Sequence, residues 1–517
     1  MNKSTNLVIL AVNAKYVHSS LAAWVLAATY EHTAVIEANI NQSDESIAAR
    51  VIAHSPDRLM ISVYIWNAAK LPRVMELIRE ALPQVQIILG GPEAAHNAQH
   101  WLELGAASVF TGELPDVFVD PYSDDCITAL EGKLAYIETS RGCPFSCAFC
   151  LSGGAGAADS AGAADSVSAV QFLPLDTAKA RIAKLAKAQV RTIKFVDRTF
   201  NCNATRAYEL FEYVIGLDPG HNNGKTFHFE VAADLFDTRT LALLATAPPG
   251  RIQFEIGLQS FCAAALKASS RKTDLAAATA NIAELLRCGN IHIHVDLIAG
   301  LPHETLAEFE NSFNRAFALG AHHLQLGFLK VLHGSRMRGL FPQIKHSSDP
   351  PYEIISSPWL SEADLAAIRC VEHALERTYN KGRFLAALEY VHSTSKITAF
   401  ELFRGIGETP ESLYEFCKAL PNINSNTLLT HMICDCLAAQ KGMNMPAFMR
   451  LSSRECCKET YISARETAQA QLGRKIHRSE VALLPPLSAG AGARAVFADA
   501  RTRDPVTGLY SVCEITV

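Results

Sequence analysis

The chain lacks the sequence features of a membrane protein and of a typical nucleic-acid-binding protein. Of its 517 residues, 47 are Lys or Arg and 52 are Asp or Glu, so the formal net charge is -5 and no domain-wide basic face is predicted. No stretch contains the roughly 18 uncharged apolar residues that a transmembrane helix needs. The first apolar run is also too short for the hydrophobic region of a signal peptide. These absences predict a cytoplasmic protein without a membrane partner, and they favour a small-molecule substrate over nucleic acid.

The sequence also lacks the composition of a disordered or disulfide-stabilised chain. Hydrophobic residues make up 49% and charged residues 19%, which is ample material for buried cores. At about 150 residues per domain, the length suggests roughly three domains. For a cytoplasmic chain, 14 cysteines indicate metal ligation or burial rather than disulfide bonds.

The first 120 residues alternate short apolar runs with helical patterns, which predicts a parallel sheet covered by helices on both faces. The predicted strands are Leu7 to Val12, Ala34 to Ile40, Arg58 to Ile65, Gln86 to Leu89 and Ser108 to Thr111. Ligands of such sheets lie beyond the carboxyl ends of the strands. The candidate binding residues at those ends are Gly90, Gly91, Glu93, Gly112 and Glu113. We expect this doubly wound, Rossmann-like domain to span residues 1–125.

A second series of strands and helices begins near Lys133. Its predicted strands are Leu134 to Thr139, Thr192 to Val196, Phe227 to Ala232, Ile252 to Leu258, Ile291 to Ala299 and His323 to Lys330. Six such units predict an open or partial (β/α)6 barrel over residues 133–330, with its chemistry at the carboxyl ends of the strands. Residues 331–517 are predicted to be mostly helical and to end in a hairpin. The predicted fold class is therefore α/β, followed by a mostly helical region.

The strongest chemical signal is a Cys-x3-Cys-x2-Cys motif directly after the first barrel strand. Its members are Cys143, Cys147 and Cys150. Three thiolates can hold a [4Fe–4S] cluster and leave its fourth iron open to another ligand. A structural zinc site normally has four protein ligands, so three cysteines without an adjacent histidine argue against zinc.

At these residues the sequence resembles the radical S-adenosylmethionine (SAM) superfamily, whose signature is C-x3-C-x-aromatic-C. Phe149 stands at the aromatic position. The resemblance implies that the open iron binds SAM and that one-electron reduction yields a 5′-deoxyadenosyl radical. It also implies an electron donor of the flavodoxin or ferredoxin type.

Motifs on the later barrel strands extend the resemblance. It implies that Asp197, after the second strand, binds the methionine amino group, although the Gly-Gly pair usual in the family is absent. It implies that Glu230 on the third strand faces the cofactor. Gln259 and Ser260, after the fourth strand, would lie near the ribose and the carboxylate. Residues 296–302 resemble the fifth-strand motif that packs on adenine.

The N-terminal domain, placed before such a barrel, resembles the cobalamin-binding domain of the cobalamin-dependent subclass. Its glycine turns would let the corrin and its nucleotide tail approach the backbone. The methylthiotransferase family has the same domain order but needs three more cysteines in that domain, and this chain has none before Cys126. Residues 331–517 resemble the C-terminal DUF4080 domain, which has no assigned substrate.

His18 follows the first strand, where cobalamin mutases and methionine synthases carry Asp-x-His-x-x-Gly. Tyr16 and Leu21 replace the Asp and the Gly. Without the carboxylate, nothing in the motif orients the imidazole as a ligand. We therefore predict that His18 makes a hydrogen bond that stabilises the loop. Axial ligation of cobalt is the open alternative.

The predicted function is radical methyl transfer from methylcobalamin to an unactivated carbon of a small molecule. The alternatives are radical oxidation or cyclisation without methyl transfer, and a non-catalytic cobalamin or iron–sulfur sensor. The spacings of Cys434, Cys436, Cys456 and Cys457 match no known cluster motif, so burial or reactive thiols explain them better than an auxiliary cluster. The sequence specifies neither the substrate nor the oligomeric state.

Overall fold

The computed structural model describes residues 6–30, 32–112, 119–153, 170–218, 224–439, 445–451, 458–486 and 493–516. Its contacts divide the chain into two compact units. The first contains Met1–Ile291, Gly300–Glu304 and Phe328–Ser361, and the second contains His292–Ala299, Thr305–Gly327 and Glu362–Val517. Within the described ranges, every helix is too short or too polar to cross a membrane. The boundaries of the three predicted domains stay predictions.

The N-terminal part of the first unit is a five-stranded parallel sheet with the strand order β2-β1-β3-β4-β5. Its strands are β1 (Leu7–Asn13), β2 (Thr33–Asn39), β3 (Arg58–Ser62), β4 (Gln86–Gly90) and β5 (Ser108–Val109). Its helices are α1 (Leu21–Thr29), α2 (Asp44–Ile52), α3 (Leu71–Ala81), α4 (Pro92–His96) and α5 (Ala98–Glu103). This is the predicted doubly wound arrangement.

The sheet forms around β1, which is apolar and buried on both faces. Every residue of β1 is buried, and Leu10 pairs with Ile36 of β2 on one side and Ile61 of β3 on the other. Strand β3 ends at Ser62, before the predicted end at Ile65. The cause is the fully buried Asn67 side chain, which accepts from Tyr64 N at 2.9 Å and donates to Ser62 O at 3.0 Å, so the chain turns there.

The barrel series follows. Its strands are β6 (Ala135–Ile137), β9 (Thr192–Phe195), β10 (Thr226–Val231), β11 (Ile252–Gln259), β12 (His292–Ala299) and β13 (His323–Phe328). Between β6 and β9, the short strands β7 (Ser140–Arg141) and β8 (Gln171–Phe172) pair with each other in the antiparallel direction. In the first unit, β6, β9, β10 and β11 are successive parallel neighbours. In the second unit, β12 neighbours β13. The six predicted barrel strands are confirmed.

Helices alternate with the barrel strands, as a partial (β/α)6 barrel requires. They are α6 (Asp124–Ala129), α7 (Leu175–Lys187), α8 (Ala204–Ile215), α9 (Thr238–Leu244), α10 (Ala263–Ala268), α11 (Leu275–Cys288) and α12 (Leu306–Ala318). Buried and part-exposed residues alternate along all of β11 and β12. One face of each strand is therefore apolar, and the other carries polar side chains.

The segment that follows β13 returns to the first unit as α13 (Arg336–Leu340), β14 (Lys345–His346) and β15 (Ile354–Ser356). The rest of the second unit is mostly helical, as predicted. Its helices are α14 (Glu362–Arg377), α15 (Leu385–Ser395), α16 (Ala399–Gly405), α17 (Pro410–Lys418), α18 (Ser425–Ala439) and α19 (Lys458–Leu472). The predicted hairpin, β17 (Arg494–Arg503) and β18 (Tyr510–Thr516), gains a third antiparallel strand, β16 (Val481–Leu484).

Candidate functional site

The cysteine loop, residues 143–150, follows β7. Cys147 is buried, Cys143 and Cys150 are half-buried, and all three are free thiols. Three backbone hydrogen bonds hold the loop. Cys150 N donates to Cys147 O at 3.1 Å, Ala148 N donates to Ser269 O at 2.8 Å, and Ala148 O accepts from Met337 N at 2.9 Å. The predicted aromatic residue, Phe149, is half-buried within this loop.

Arg271 is a cation beside the cysteine loop that the sequence motifs do not identify. Its Nη1 lies 3.8 Å from Cys147 Sγ, and its Nη2 donates to Gly257 O at 2.7 Å. Its guanidinium also lies over the ring of Phe145, 5.8 Å from the centroid. Burial raises the pKa of the Cys147 thiol, while the charge of Arg271 acts in the opposite direction. Because the thiolate is the form that binds metals, Arg271 favours the ligating state.

The donor chemistry of the cysteine loop fits an iron–sulfur cluster, because three thiolates can each bind a different iron. Within the described ranges, no group of three His, Cys, Asp or Glu residues lies close enough to hold one metal ion. A [4Fe–4S] cluster binds each thiolate to a different iron, so its cysteines need not converge on one point. Three thiols in one short loop, with an arginine beside the buried one, meet that requirement.

Asp197 is completely buried after β9 and holds the segment that leads into the cysteine loop. Its Oδ1 accepts from Thr139 Oγ1 at 2.7 Å and from Ser140 Oγ at 2.6 Å, and its Oδ2 accepts from Thr139 N at 3.0 Å. Burial raises the pKa of Asp197 to about 6, although these hydrogen bonds favour the charged form. Its contact with the methionine amino group stays a prediction.

Glu230 belongs to a charged cluster that crosses three neighbouring strands. Lys194 Nζ lies 3.4 Å from Glu230 Oε1 and 3.0 Å from Glu255 Oε2. His228 Nε2 lies 2.9 Å from the same Glu255 oxygen. Burial would raise the pKa of Glu255, but the hydrogen bond to His228 and the charge of Lys194 lower it to about 2. The contact of Glu230 with the cofactor stays a prediction.

The two predicted residues at the end of β11, Gln259 and Ser260, lie in different surroundings. Gln259 is half-buried and has a φ of +68°. Ser260 is fully buried, where its Oγ donates to Glu304 Oε1 at 2.6 Å and accepts from Cys262 N at 2.8 Å. The hydroxyl of Ser260 therefore stabilises the turn through these two hydrogen bonds. The contacts of both residues with SAM stay predictions.

The glycine turns lie at the carboxyl edge of the N-terminal sheet. Gly91 has a φ of +92°, and a Cβ at this position would lie 2.7 Å from Val63 O, so only glycine fits. A Cβ at Gly112 would lie 2.9 Å from the ring of Phe110, and one at Gly90 would make ordinary contact. Glu113, also predicted here, lies outside the described residues.

Glu93 is buried behind this edge. It is 3% exposed, and its Oε1 accepts from Tyr352 Oη at 2.5 Å. Burial raises the pKa of Glu93, while the hydrogen bond from Tyr352 lowers it. The carboxylate thus faces a residue of the segment after the barrel, and its predicted contact with a cofactor stays a prediction.

Large aromatic side chains are exposed at three of the five strand ends. Tyr16 follows β1 and is 70% exposed, Trp66 follows β3 and is 44% exposed, and Phe110 follows β5 and is 50% exposed. The ring of Trp66 stacks on Tyr64 at 4.3 Å, with an angle of 6° between the planes. Strands β1 and β3 also form the point where the strand order reverses, which is the usual ligand position in such sheets. The exposed rings offer a surface that a large flat ligand can cover.

His18 makes the kind of hydrogen bond expected from the sequence, but with a distant partner. Its Nδ1 lies 2.5 Å from the hydroxyl of Tyr136 on β6. The same loop is held to the barrel by Leu134, whose N donates to Val17 O and whose O accepts from Ser19 Oγ, both at 2.8 Å. Burial, Lys15 and Lys194 lower the pKa of His18. The imidazole is therefore oriented by Tyr136, and the absence of a cobalt bond stays a prediction.

The two described cysteines of α18 pack as protonated thiols. Cys436 is buried with its Sγ 3.8 Å from Met449 Sδ, and burial raises its pKa to about 12. Burial also raises the pKa of Cys434 to about 11. Cys456 and Cys457 lie outside the described residues.

A cavity of about 560 Å³ lies within the second unit. Its lining includes His292, His322, Tyr379 and His392. Because it lies at the amino ends of β12 and β13, it is at the end of these strands opposite to the one that carries chemistry in barrel enzymes.

Three protein-family models match the chain. The B12 binding domain matches residues 7–121, the Radical SAM superfamily matches residues 137–316, and the protein of unknown function DUF4080 matches residues 343–481. The matches follow one another in the order predicted from the sequence.

Two curated relatives are methyltransferases. The cobalamin-dependent radical SAM methyltransferase TokK from Streptomyces tokunonensis is 22% identical over 323 residues. The 2-(S-pantetheinyl)-carbapenam-3-carboxylate methyltransferase from Streptantibioticus cattleyicolor is 21% identical over 322 residues. Each alignment covers 52% of this chain and 46% of the relative, so the chain matches just under half the length of either relative.

Solved structures share the fold. The radical SAM methyltransferase TsrM from Kitasatospora setae, solved with cobalamin and a [4Fe–4S] cluster, is 15% identical with a TM-score of 0.51, over 68% of this chain and 82% of TsrM. The cobalamin-dependent SAM radical enzyme OxsB, solved with aqua-cobalamin and SAM, is 12% identical with a TM-score of 0.54, over 83% of this chain and 78% of OxsB. The chain thus matches a B12 binding domain, a radical SAM domain and a DUF4080 domain in that order, and it shares the fold of these two solved structures.

Proposed function

We propose that this protein is an enzyme that uses a [4Fe–4S] cluster, SAM and cobalamin to transfer a methyl group to an unactivated carbon of a small molecule. The observation that carries the proposal is that one compact unit contains both the three-thiol loop and the aromatic carboxyl edge of the B12-binding domain. The substrate of either curated relative is not assigned to this chain. A cytoplasmic location and a flavodoxin- or ferredoxin-type electron donor belong to the same proposal.

The cysteine loop would hold the cluster through Cys143, Cys147 and Cys150. When bound and reduced, the cluster supplies the electron that cleaves SAM. Arg271 balances the negative charge of the thiolates and offers a guanidinium that can pair with a carboxylate. Asp197 keeps the segment before the loop in place through its hydrogen bonds to Thr139.

The edge of the N-terminal sheet would hold cobalamin, which supplies the methyl group. The exposed rings of Tyr16, Trp66 and Phe110 would be covered by the flat corrin. The glycine at position 91 lets this turn pack against the backbone of Val63, because a Cβ there would lie 2.7 Å from Val63 O.

Iron content and SAM cleavage test the cluster. Anaerobically reconstituted protein should contain about four irons per chain. Replacing Cys143, Cys147 or Cys150 with Ala should abolish both the cluster and SAM cleavage after reduction. Cys370→Ala, which alters an exposed thiol in the second unit, is the matched control and should keep both. Full iron content and cleavage in all three loop variants would refute the assignment.

The products of SAM separate methyl transfer from the alternatives. Methyl transfer should yield S-adenosylhomocysteine as well as 5′-deoxyadenosine, because SAM then serves both as methyl donor and as radical source. Oxidation or cyclisation should yield 5′-deoxyadenosine alone. A sensor should yield neither product on the time scale of turnover.

A further inference from the structure

The segment after the last barrel strand contacts both regions that the proposed function assigns to cofactors. We call residues 328–356 the strap. Two antiparallel backbone contacts fold it back on itself, since Val331 N donates to Tyr352 O at 2.9 Å and Ile354 N donates to Leu329 O at 2.9 Å. The strap belongs to the first unit, with the N-terminal sheet and the cysteine loop.

Helix α13 of the strap contacts the cysteine loop. Met337 N donates to Ala148 O at 2.9 Å, and the guanidinium of Arg336 donates to Ser146 O. Ser146 and Ala148 flank Cys147 in the sequence. The backbone on both sides of the buried cysteine is therefore fixed by α13 of the strap.

Two other residues of the strap, Gly334 and Tyr352, contact residues 90–96 of the N-terminal domain, here called the cobalamin turn. Tyr352 Oη donates to the buried carboxylate of Glu93 at 2.5 Å. Gly334 lies against His96 so closely that a Cβ at this position would be 2.3 Å from the imidazole. The turn is thus held by a buried hydrogen bond and by close packing.

Arg338 of α13 connects these two sets of contacts within the strap. The guanidinium of Arg338 lies 5.6 Å from the centre of the Tyr352 ring, and its Nη2 donates to Val331 O at 2.8 Å. Arg338 follows Arg336 and Met337 directly on α13. A continuous chain of contacts therefore joins the cysteine loop to Glu93.

We infer that Tyr352 is a positioning residue that couples the two cofactor regions, so that an assembled cluster in the cysteine loop increases the affinity of the cobalamin turn for cobalamin. This inference rests on the proposed function. Cluster ligation fixes the cysteine loop and, through α13, the strap. The turn is then ordered before cobalamin arrives, and less conformational entropy is lost on binding. By thermodynamic reciprocity, bound cobalamin stabilises the cluster by the same factor.

The test is a titration of the full chain with hydroxocobalamin, with and without the reconstituted cluster. We expect the cluster to lower the Kd of wild-type protein about tenfold, which is within the usual range of coupling between sites. In Tyr352→Phe the phenol that holds Glu93 is lost, so both forms should bind with the same Kd while iron content stays at the wild-type value. Equal Kd values in the wild type, or a tenfold difference kept by Tyr352→Phe, would overturn the inference.

Three further variants complete the experiment. Glu93→Gln retains a side-chain oxygen that can accept from Tyr352, so it should keep the cluster-dependent difference. Arg336→Ala removes the hydrogen bond from the strap to Ser146 O of the cysteine loop. The Kd of this variant should therefore no longer depend on the cluster, which keeps the inference testable if Tyr352→Phe does not fold. Tyr379→Phe removes a phenol hydrogen bond to Ala321 O in the second unit and should behave as wild type. If no form of the protein binds hydroxocobalamin, the cobalamin part of the proposed function is wrong, and the inference that depends on it is wrong as well.

Discussion

At the scale of single residues, Asp197 shows how one buried carboxylate organises the segment that leads into the cysteine loop. Both of its oxygens are occupied, by the backbone N–H and hydroxyl of Thr139 and by the hydroxyl of Ser140. The direction of the chain toward Cys143 is set by these contacts. We therefore assign Asp197 a positioning role that is separate from the contact with SAM predicted from the sequence.

Replacing Asp197 with Ala should remove the acceptor of three buried hydrogen bonds. We expect the free energy of unfolding to fall by about 3 kcal/mol, because buried donors are left without partners, and the iron content to fall with it. Chemical denaturation and iron analysis measure the two effects. Asp197→Asn keeps one acceptor oxygen and should lie between the wild type and Asp197→Ala. Unchanged stability and iron content, with a loss of SAM affinity alone, would assign Asp197 to the ligand instead.

At the scale of elements, the turn between β4 and α4 depends on one glycine. Gly91→Ala places a Cβ 2.7 Å from Val63 O and requires a positive φ that alanine disfavours. We expect a loss of stability of about 2 kcal/mol and a loss of hydroxocobalamin binding, measured by thermal unfolding and by visible absorption after gel filtration. Gly339→Ala is the matched control, because nothing lies within 4 Å of its added Cβ and the residue is helical. Equal effects of both changes would contradict a specific role of the turn.

The parallel strands of the two α/β regions are predictable from the sequence because their apolar runs are regular, whereas the short strands β7, β8, β14 and β15 are not predicted. Each barrel strand has a clear apolar run, and helix α3 buries Leu71, Val74, Met75 and Ile78, the spacing of one helix face. Strand β16 is not predicted, since a four-residue apolar run is compatible with either a strand or a helix.

The candidate site is only partly predictable, because its motif residues have partners far away in the sequence. The cysteine motif is local, and the sequence identifies it completely. The partner of Glu93 is Tyr352, 259 residues away, and the partner of His18 is Tyr136, 118 residues away. Neither pairing leaves a signal in local periodicity. The same holds for Arg271, which reaches Cys147 from a loop 124 residues further along the chain.

At the scale of the whole molecule, the N-terminal sheet has its own core, but residues from later in the chain hold two of its loops. Its buried cluster includes residues from Val8 to Ala106. The loop after β1 is held by Leu134 and Tyr136, and the cobalamin turn is held by Tyr352. These three residues lie beyond the end of the domain predicted from the sequence.

A fragment of residues 1–125 should therefore fold and bind hydroxocobalamin, but less tightly than the full chain. We expect the Kd to rise about tenfold or more, because the unsupported loops must be ordered on binding. Equilibrium dialysis of both proteins, with circular dichroism to confirm the fold of the fragment, measures the difference. A folded fragment that remains colourless would argue against cobalamin, and equal affinities would show that the distant residues do not support the site.

The position of the strap in the chain has a consequence for how the protein is made. All five strands of the N-terminal sheet are complete by Val109, so this part can fold early during translation. The cysteine loop ends at Cys150, whereas the backbone that closes over it, around Met337, is made 187 residues later. At about 5–20 residues per second, the ribosome needs roughly 10–40 s for that stretch. During this interval the strap does not yet contact the cysteine loop, which leaves time for iron and sulfide to be delivered before that contact forms.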